Sequence, residues 1–378
     1  MHRRRFLALA GATATATALA SCTGNGASDL LDSAGPPTTT DSTATTPPTT
    51  AAAADPDDAA TPDDGTDQPD DQQTAGDGLP LDRTNYGVSL SPRSYEGADF
   101  TEFFERAGEA GTVVRSGGAW AELGSPDSGG TAVAGLAEQF GYTAAVEVNV
   151  FDSGSGEPDR PLSEATIEEN VELARAFAQE YRPAFLGLGV EVDTFYRESP
   201  EAFERYVTLA EVAAQAVKEA VPETTVGVGF QLERLRGLRG GIFGGENDPE
   251  SANWELLDRF PSADVLTFTS YPGMLYEDPA DIPDDYYTSV FDRVDRPVGL
   301  TETGWTASTV VEGWPSSEAK QARYVDRLFE LTTDVELALA LWAFVYDQPG
   351  VPTAFETMGL RRPDGSPRPA WDAWVEGV

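Results

Sequence analysis

The stretches FLGLGVE (residues 185–191) and PVGLTE (residues 297–302) are short apolar runs that each end in a glutamate. Such runs are typical of parallel strands that are buried on both faces. If both runs are strands of one barrel, Glu191 and Glu302 lie at its carboxyl-end mouth, where barrels of parallel strands carry out their chemistry. Two carboxylates facing each other across a cleft are the groups that cleave a glycosidic bond. The sequence therefore predicts a glutamate pair as the reacting groups.

Apolar runs alternate with helical patterns along residues 81–378, a length that suits one large domain. Apolar residues three and four positions apart predict helices around 100–107, 167–178, 202–220 and 319–331. Ser163 and the pair Ser199-Pro200 mark the beginnings of two of these helices. The eight predicted strands are Tyr86–Leu90, Thr112–Ser116, Thr143–Val150, Ala184–Glu191, Thr225–Gln231, Val265–Tyr271, Val298–Glu302 and Leu337–Val345.

This alternation predicts the fold class α/β, as a single (β/α)8 barrel of the TIM type. A doubly wound open sheet is the alternative. It is disfavoured because no glycine-rich nucleotide loop follows the first predicted strand. The nearest candidate, Ser116-Gly-Gly118, follows the second strand and leads to Trp120, which does not begin a helix.

Composition excludes several classes of chemistry and partner. The chain has 64 Asp and Glu against 25 Lys and Arg, a formal net charge of −39, which argues against nucleic acid as a partner. Its two lysines are Lys218 and Lys320, and this scarcity beside excess acid resembles proteins adapted to molar salt, of haloarchaeal type. An unusually acidic secreted protein from ordinary salt is the alternative.

The one histidine is His2 and the one cysteine is Cys22, so the predicted domain has no imidazole, thiol or disulfide. Its apolar core alone must therefore hold the fold. We expect no cofactor and no metal ion, and we expect a monomer.

Residues 1–22 have the pattern of a secretory signal: Arg3, Arg4 and Arg5 precede a short apolar stretch that ends Leu19-Ala-Ser-Cys22. The paired arginines resemble a twin-arginine signal, which exports folded proteins. The final four residues resemble a lipobox, in which Cys22 becomes the lipidated first residue. An ordinary cleaved signal is the alternative. The apolar stretch is too short and too rich in Thr to span a hydrocarbon core of ~30 Å.

Residues 23–80 consist largely of Thr, Ala, Pro, Gly and Asp, without Lys or Arg. Such a segment buries too little apolar surface to offset its ordering entropy, which predicts a disordered acidic tether. The protein is thus expected at the extracellular face of the cytoplasmic membrane, anchored through lipid only.

The predicted mouth collects side chains from the carboxyl ends of all eight strands. Carboxylates, amides and aromatic rings dominate this set, which consists of Ser89, Ser91, Arg115, Trp120, Glu147, Asn149, Glu191, Asp193, Tyr196, Gln231, Glu233, Ser270, Tyr271, Glu302, Trp305, Trp342 and Tyr346. Aromatic rings stack on the apolar faces of sugars, while carboxylates and amides bind hydroxyl groups. A phosphate-binding barrel would instead carry cationic or glycine-rich loops after its last strands. The predicted ligand is a carbohydrate.

The positions of Glu191, Tyr271, Glu302 and Trp342 on strands four, six, seven and eight resemble clan A of the glycoside hydrolases. The run TETGW (residues 301–305) is similar to the nucleophile segment of its β-glucanase and β-galactanase families. GWPS at 313–316, followed by Gln321-Ala-x-Tyr324, is also similar to those proteins.

The resemblance implies a retaining mechanism in which Glu302 is the nucleophile and Glu191 is the general acid/base. It also implies that Arg115 and Tyr271 flank the nucleophile and hold it ionised. Trp342 would form the floor of the subsite before the cleavage point.

Val190 departs from the clan pattern, which places an Asn before the acid/base so that its amide binds the sugar 2-hydroxyl. Loss of a contact that tightens in the transition state removes several kcal/mol of stabilisation. Either Asn149 or Gln231 takes this role, or the domain hydrolyses poorly. The absence of histidine from the domain is a second departure.

Four further candidates accompany the pair. Asp193 is an alternative acid, because residues two apart on an extended strand share one face. Trp120 and Trp305 are loop aromatics that could contact sugar. Glu147 is expected to pair with Arg115 within the barrel.

Three functions remain open at this point. The leading hypothesis is a retaining glycosidase that acts on a β-linked polysaccharide outside the cell. The second is a lipid-anchored glycan-binding protein that kept the barrel and lost turnover, which Val190 motivates. The third, less favoured, is a solute-capture or envelope-structural protein that uses the barrel as a scaffold.

Overall fold

Eight parallel strands close into a barrel in the computed structural model, which describes residues 78–378. Each strand pairs in parallel with the next along the chain, and the last strand pairs with the first. The strands are β1 Asn85–Ser89, β2 Val113–Ala119, β3 Thr143–Asn149, β4 Phe185–Gly187, β5 Thr225–Gln231, β6 Val265–Ser270, β7 Val298–Thr303 and β8 Leu337–Trp342. The predicted (β/α)8 barrel is confirmed, and the open-sheet alternative is wrong.

Helices connect the strands and surround the barrel: α1 Gly97–Glu109, α2 Gly129–Phe140, α3 Glu164–Tyr181, α4 Val192–Glu198, α5 Pro200–Ala220, α6 Leu232–Leu235, α7 Thr288–Phe291, α8 Glu318–Thr332 and α9 Pro369–Gly377. Their beginnings follow local chemistry. Ser163 accepts a hydrogen bond from the N–H of Thr166 at the start of α3, and Pro200 occupies the first turn of α5. Both predicted helix starts are confirmed.

Apolar side chains fill the barrel interior away from the mouth. This cluster consists of Leu79, Val113, Ala145, Phe185, Val265, Ala338, Leu339 and Leu341. Leu79 belongs to it although it precedes the predicted domain boundary at residue 81. A larger apolar layer between strands and helices includes residues of α1, α3, α5, α8 and α9.

Strand β4 is shorter than predicted, because it ends at Gly187 and the predicted strand continues to residue 191. Tyr206 of α5 donates a hydrogen bond from its hydroxyl to the carbonyl of Leu188, at 2.9 Å. Glu191 then adopts left-handed backbone angles, φ 55° and ψ 41°, and begins α4. Asp193 therefore lies in a helix, and the expected shared strand face with Glu191 is wrong.

The predicted signal segment 1–22, its Cys22 and most of the tether predicted over 23–80 lie outside the described residues. Within residues 78–378, no helix is both long enough and apolar enough to cross a membrane.

We predict that Leu79→Ala lowers the free energy of unfolding by about 2–5 kcal/mol, because it leaves a cavity in the interior cluster. Leu81→Ala is the matched control, since Leu81 is 37% exposed where Leu79 is 5% exposed. Denaturant unfolding of both variants checks this. Equal small losses would show that the segment before β1 does not contribute to the core.

Candidate active site

Glu302 lies on β7 at the mouth, between a guanidinium and a phenol. Arg115 of β2 places Nη1 at 2.7 Å from its Oε1. Tyr271, which follows β6, donates its hydroxyl to Oε2 at 2.5 Å. The ion pair and the hydrogen bond together hold the Glu302 side chain in place. The expected flanking of Glu302 by Arg115 and Tyr271 is thus observed as geometry.

Arg115 also binds a second buried carboxylate. Its Nε donates to Oε2 of Glu147 on β3, and its Nη1 donates to Oγ of Ser89 at 3.2 Å. Burial alone would lower the pKa of Arg115. The negative charges of Glu147 and Glu302 together outweigh this effect, so the pKa of Arg115 is raised above its ordinary value. The guanidinium therefore stays charged between two carboxylates, as predicted for Glu147.

Glu191 has a different environment. It accepts a hydrogen bond from Oγ1 of Thr269 at 2.7 Å, and Nη1 of Arg234 lies 3.7 Å from its Oε2. Burial raises the pKa of Glu191 to about 8, and the charge of Glu302 adds to this rise, while Arg234 and Thr269 oppose it. Glu191 is therefore largely protonated at neutral pH.

Thr269 of β6 links the positions of the two glutamates. Thr269 of β6 is the register partner of Glu302, and Thr269 is also the donor to the Glu191 carboxyl. The sequence pattern predicts no role for Thr269 or Arg234. Their signals are positional: Thr269 lies two residues before Tyr271, and Arg234 lies three residues after Gln231.

The backbone on both sides of Glu191 is fixed by hydrogen bonds that involve Asn149, Gln231 and Asp193. Asn149 accepts a hydrogen bond at Oδ1 from the N–H of Val190, at 2.7 Å, and donates from Nδ2 to Ser153. Asp193 accepts at Oδ1 from the N–H of Gln231, also at 2.7 Å. Its Oδ2 is buried and has no hydrogen-bond partner among residues 78–378.

The side chain of Gln231 is engaged at both ends. Its Oε1 accepts from the N–H of Arg234 at 2.6 Å, and its Nε2 donates to Glu233. In this arrangement, both ends of the amide are used in hydrogen bonds within the protein.

Two of the predicted tryptophans lie away from the mouth. Trp342 packs its ring against Tyr324 and Trp374, at centroid distances of 5.9 and 5.6 Å, between β8 and the helices α8 and α9. The expectation that it forms the cleft floor is therefore wrong. Trp120 donates Nε1 to the carbonyl of Asn170 on α3 and is 1% exposed, so it too is turned from the mouth.

Trp305 lies nearer to the site, in the loop that follows β7. It donates Nε1 to Oγ of Ser316 at 3.0 Å, and its ring lies 5.2 Å from that of Tyr324. It also lines a small crevice together with Tyr271, Met274, Trp314 and Met358.

An apolar cover, formed by loops after β5, β6 and β8, closes the mouth. It consists of Ile242, Phe243, Met274, Phe344, Val351, Ala354, Phe355 and Met358. Phe355 meets the ring of Tyr271 edge-on, with centroids 5.0 Å apart. Glu191 and Glu302 are both 0% exposed.

No protein-family model matches this chain, and no curated protein sequence matches it. Several solved structures with a similar fold are glycoside hydrolases. A family 39 glycoside hydrolase from the gut symbiont Bacteroides cellulosilyticus WH2 is 20% identical with a TM-score of 0.54, over 78% of this chain and 64% of that one. A family 5 subfamily 18 variant from Streptomyces cattleya, solved with Manβ1-4GlcNAc, is 16% identical with a TM-score of 0.59, over 78% and 80%.

The exo-β-1,4-mannosidase Op5Man5 from an Opitutaceae bacterium is also 16% identical, with a TM-score of 0.57, over 78% of this chain and 59% of that one. At these identities the similarity shows the fold alone. This chain spans less than two thirds of the family 39 enzyme and of the mannosidase. The domain is therefore a barrel of the kind that is found in glycoside hydrolases.

We predict that the free energy of unfolding decreases as pH rises from about 5 to about 8, in part because of Glu191. Its pKa in the folded state, about 8, exceeds the ordinary value of 4.5, so the native state binds more protons than the unfolded state in this window. Glu191→Gln removes this dependence and is more stable than wild type at pH 9, by a few kcal/mol. Denaturant unfolding at pH 5 and pH 9 measures it, with the exposed Glu312→Gln as control. An unchanged pH dependence in Glu191→Gln would contradict the raised pKa.

We predict that Arg115→Met lowers the free energy of unfolding by about 3–5 kcal/mol, because it leaves two buried carboxylates without a counter-charge. Arg259→Met is the matched control. It breaks an ion pair with Glu204 whose side chains are 30% and 59% exposed, which is worth about 0–1 kcal/mol. Similar losses in the two variants, again by denaturant unfolding, would argue against the bridging role of Arg115.

Proposed function

We propose that this protein is a retaining glycoside hydrolase that acts on β-linked oligo- or polysaccharides. The observation that carries the proposal is the unequal environment of two buried carboxyl groups. Glu302 forms an ion pair with Arg115 and accepts a hydrogen bond from Tyr271, whereas burial raises the pKa of Glu191 to about 8. A retaining hydrolase needs this division, because its nucleophile attacks as a carboxylate and its acid arrives protonated.

In the proposed first step, a carboxylate oxygen of Glu302 attacks the anomeric carbon and the glycosidic C–O bond breaks. The Glu191 carboxyl gives its proton to the leaving oxygen. In the second step, the Glu191 carboxylate takes a proton from water, which attacks the same carbon and releases Glu302. This chemistry expects the two carboxyl groups to lie about 5–5.5 Å apart.

Both glutamates are fully buried, so substrate entry requires loops at the mouth to move, and we propose that the apolar cover is the part that opens. We propose that Asn149, Asp193 and Trp305 then face the sugar. Asp193 is suited to a hydroxyl group because its Oδ2 is buried and has no partner among residues 78–378. Arg115 and Tyr271 remain on Glu302 throughout and hold it for attack.

A second candidate is a glycan-binding protein on the same barrel that has lost efficient turnover. Three observations favour it: Val190 offers no amide to a sugar 2-hydroxyl, both ends of the Gln231 amide are engaged, and Trp342 faces the helices. Under this proposal the buried charges serve only to hold the barrel mouth.

We further propose a setting for this activity. The twin-arginine pattern and the lipobox would place a monomer on the extracellular face of the cytoplasmic membrane, with Cys22 lipidated. The acidic composition would adapt it to molar salt, where short-range screening removes charge repulsion.

We predict that, on aryl β-glycosides in molar salt, Glu302→Ala abolishes turnover and Glu191→Ala lowers kcat by about 10²–10⁴-fold. Added azide restores Glu191→Ala and yields a β-glycosyl azide, because a small anion needs no general base. The control is Glu312→Ala, which removes an exposed carboxylate from the loop after β7.

Wild-type binding of glycans without turnover of any aryl glycoside in the panel would refute the hydrolase and favour the binding protein. Turnover that survives in Glu302→Ala would reject Glu302 as the nucleophile.

A further inference from the structure

A third glutamate, Glu233, is buried beside the Tyr271 backbone and has no part in the proposed chemistry. It belongs to α6, directly after β5, and is 0% exposed. Its contacts are hydrogen bonds from four donors. Oε1 accepts from Oγ of Ser270 at 2.8 Å, from the N–H of Tyr271 at 3.1 Å and from the hydroxyl of Tyr286 at 2.6 Å. Oε2 accepts from Nε2 of Gln231.

These contacts place Glu233 at the segment that connects the two proposed catalytic groups. Three successive residues at the end of β6 donate to three different glutamates. Thr269 donates to Glu191 at 2.7 Å, Ser270 donates to Glu233 at 2.8 Å, and the Tyr271 hydroxyl donates to Glu302 at 2.5 Å. The middle contact, to Glu233, holds the backbone between the other two.

The same segment lies at an irregularity of the sheet. Phe268 pairs with Leu300, but Thr269 pairs with Glu302, so the register between β6 and β7 skips Thr301. A bulge of this kind re-aims side chains and weakens the local ladder. An anchor outside the ladder is therefore needed to fix where Thr269 and Tyr271 point.

We propose that Glu233 is a positioning residue that anchors the end of β6 and thereby sets the placement of Glu191 relative to Glu302. This inference rests on the proposed hydrolase function. Glu233 touches neither reacting carboxylate and acts through Thr269, Ser270 and Tyr271. Its loss misplaces both reacting groups at once, which costs rate and leaves ground-state sugar binding intact.

The hydrogen-bond pattern supplies a matched rescue. In Glu233→Gln the new amide NH₂ faces the NH₂ of Gln231, so two donors oppose each other. Gln231 cannot turn its amide round without losing the bond from the N–H of Arg234. In the double variant Gln231→Glu/Glu233→Gln, every donor again meets an acceptor and the charge moves by two residues only.

The first experiment measures kcat and KM on an aryl β-glycoside for wild type, Glu233→Gln and the double variant. We expect Glu233→Gln to lower kcat by about tenfold or more with KM little changed. The double variant should regain most of the lost kcat. Unchanged kcat in Glu233→Gln, or a double variant that regains thermal stability without regaining kcat, would overturn the positioning role.

A second measurement does not depend on turnover. Free energies of unfolding are compared for Glu233→Gln, Tyr271→Phe and the combined variant. If Glu233 holds Tyr271 on Glu302, the combined loss is smaller than the sum of the single losses; additive losses would overturn the anchor. An inactive wild type with non-additive losses would refute the hydrolase proposal and leave the anchoring of Tyr271 in place.

Discussion

The guanidinium of Arg115 lies between the carboxylates of Glu147 and Glu302, and the geometry of the barrel mouth depends on this bridge. Burying any one of these charges alone is costly, since each loses its hydration. Together they are tolerated, because Arg115 donates hydrogen bonds to Glu147 and Ser89 and forms an ion pair with Glu302. The bridge also joins β2 to β7, which are separated in the sheet by β1 and β8. It fixes Glu302 from across the barrel.

Glu191 lies outside this bridge. Its nearest cation, Arg234, stands at 3.7 Å, compared with 2.7 Å between Arg115 and Glu302. Burial then dominates and the acid keeps its proton. Two chemically identical side chains thus have different surroundings, and this difference is the basis of the proposed chemistry. Glu191 also has a left-handed backbone, a conformation that costs free energy and is concentrated at functional sites.

Much of the fold was predictable because parallel strands buried on both faces must be apolar along their whole length. The predicted bounds of β5 agree with the observed strand, and convergence of strand ends explains why Glu302, Arg115 and Tyr271 meet. The bounds of β4 were not predictable. The contact of Tyr206 with the carbonyl of Leu188 and the left-handed turn at Glu191 are tertiary features, and propensity does not encode them.

The orientation of the Trp342 side chain was likewise not predictable from the sequence. Strand β8 pairs with β7 through register shifts, and a slip of one residue turns a side chain to the opposite face. The apolar cover was missed for a related reason. Residues 351–358 follow the last strand as a loop of mixed composition, and only folding shows that Phe355 packs on Tyr271. Sequence patterns predict which residues reach the mouth, but long-range packing decides how they are enclosed.

The most direct measurement is to trap the proposed covalent intermediate and identify the residue that carries it. The protein is incubated in molar salt with 2-deoxy-2-fluoro β-glycosides bearing a good leaving group, and digested peptides are examined by mass spectrometry. The account predicts a single sugar label, on Glu302. A label on Glu191 or on another residue would contradict it. The account would also be contradicted if the protein hydrolysed an aryl β-glycoside but was not labelled by the 2-deoxy-2-fluoro derivative of the same sugar.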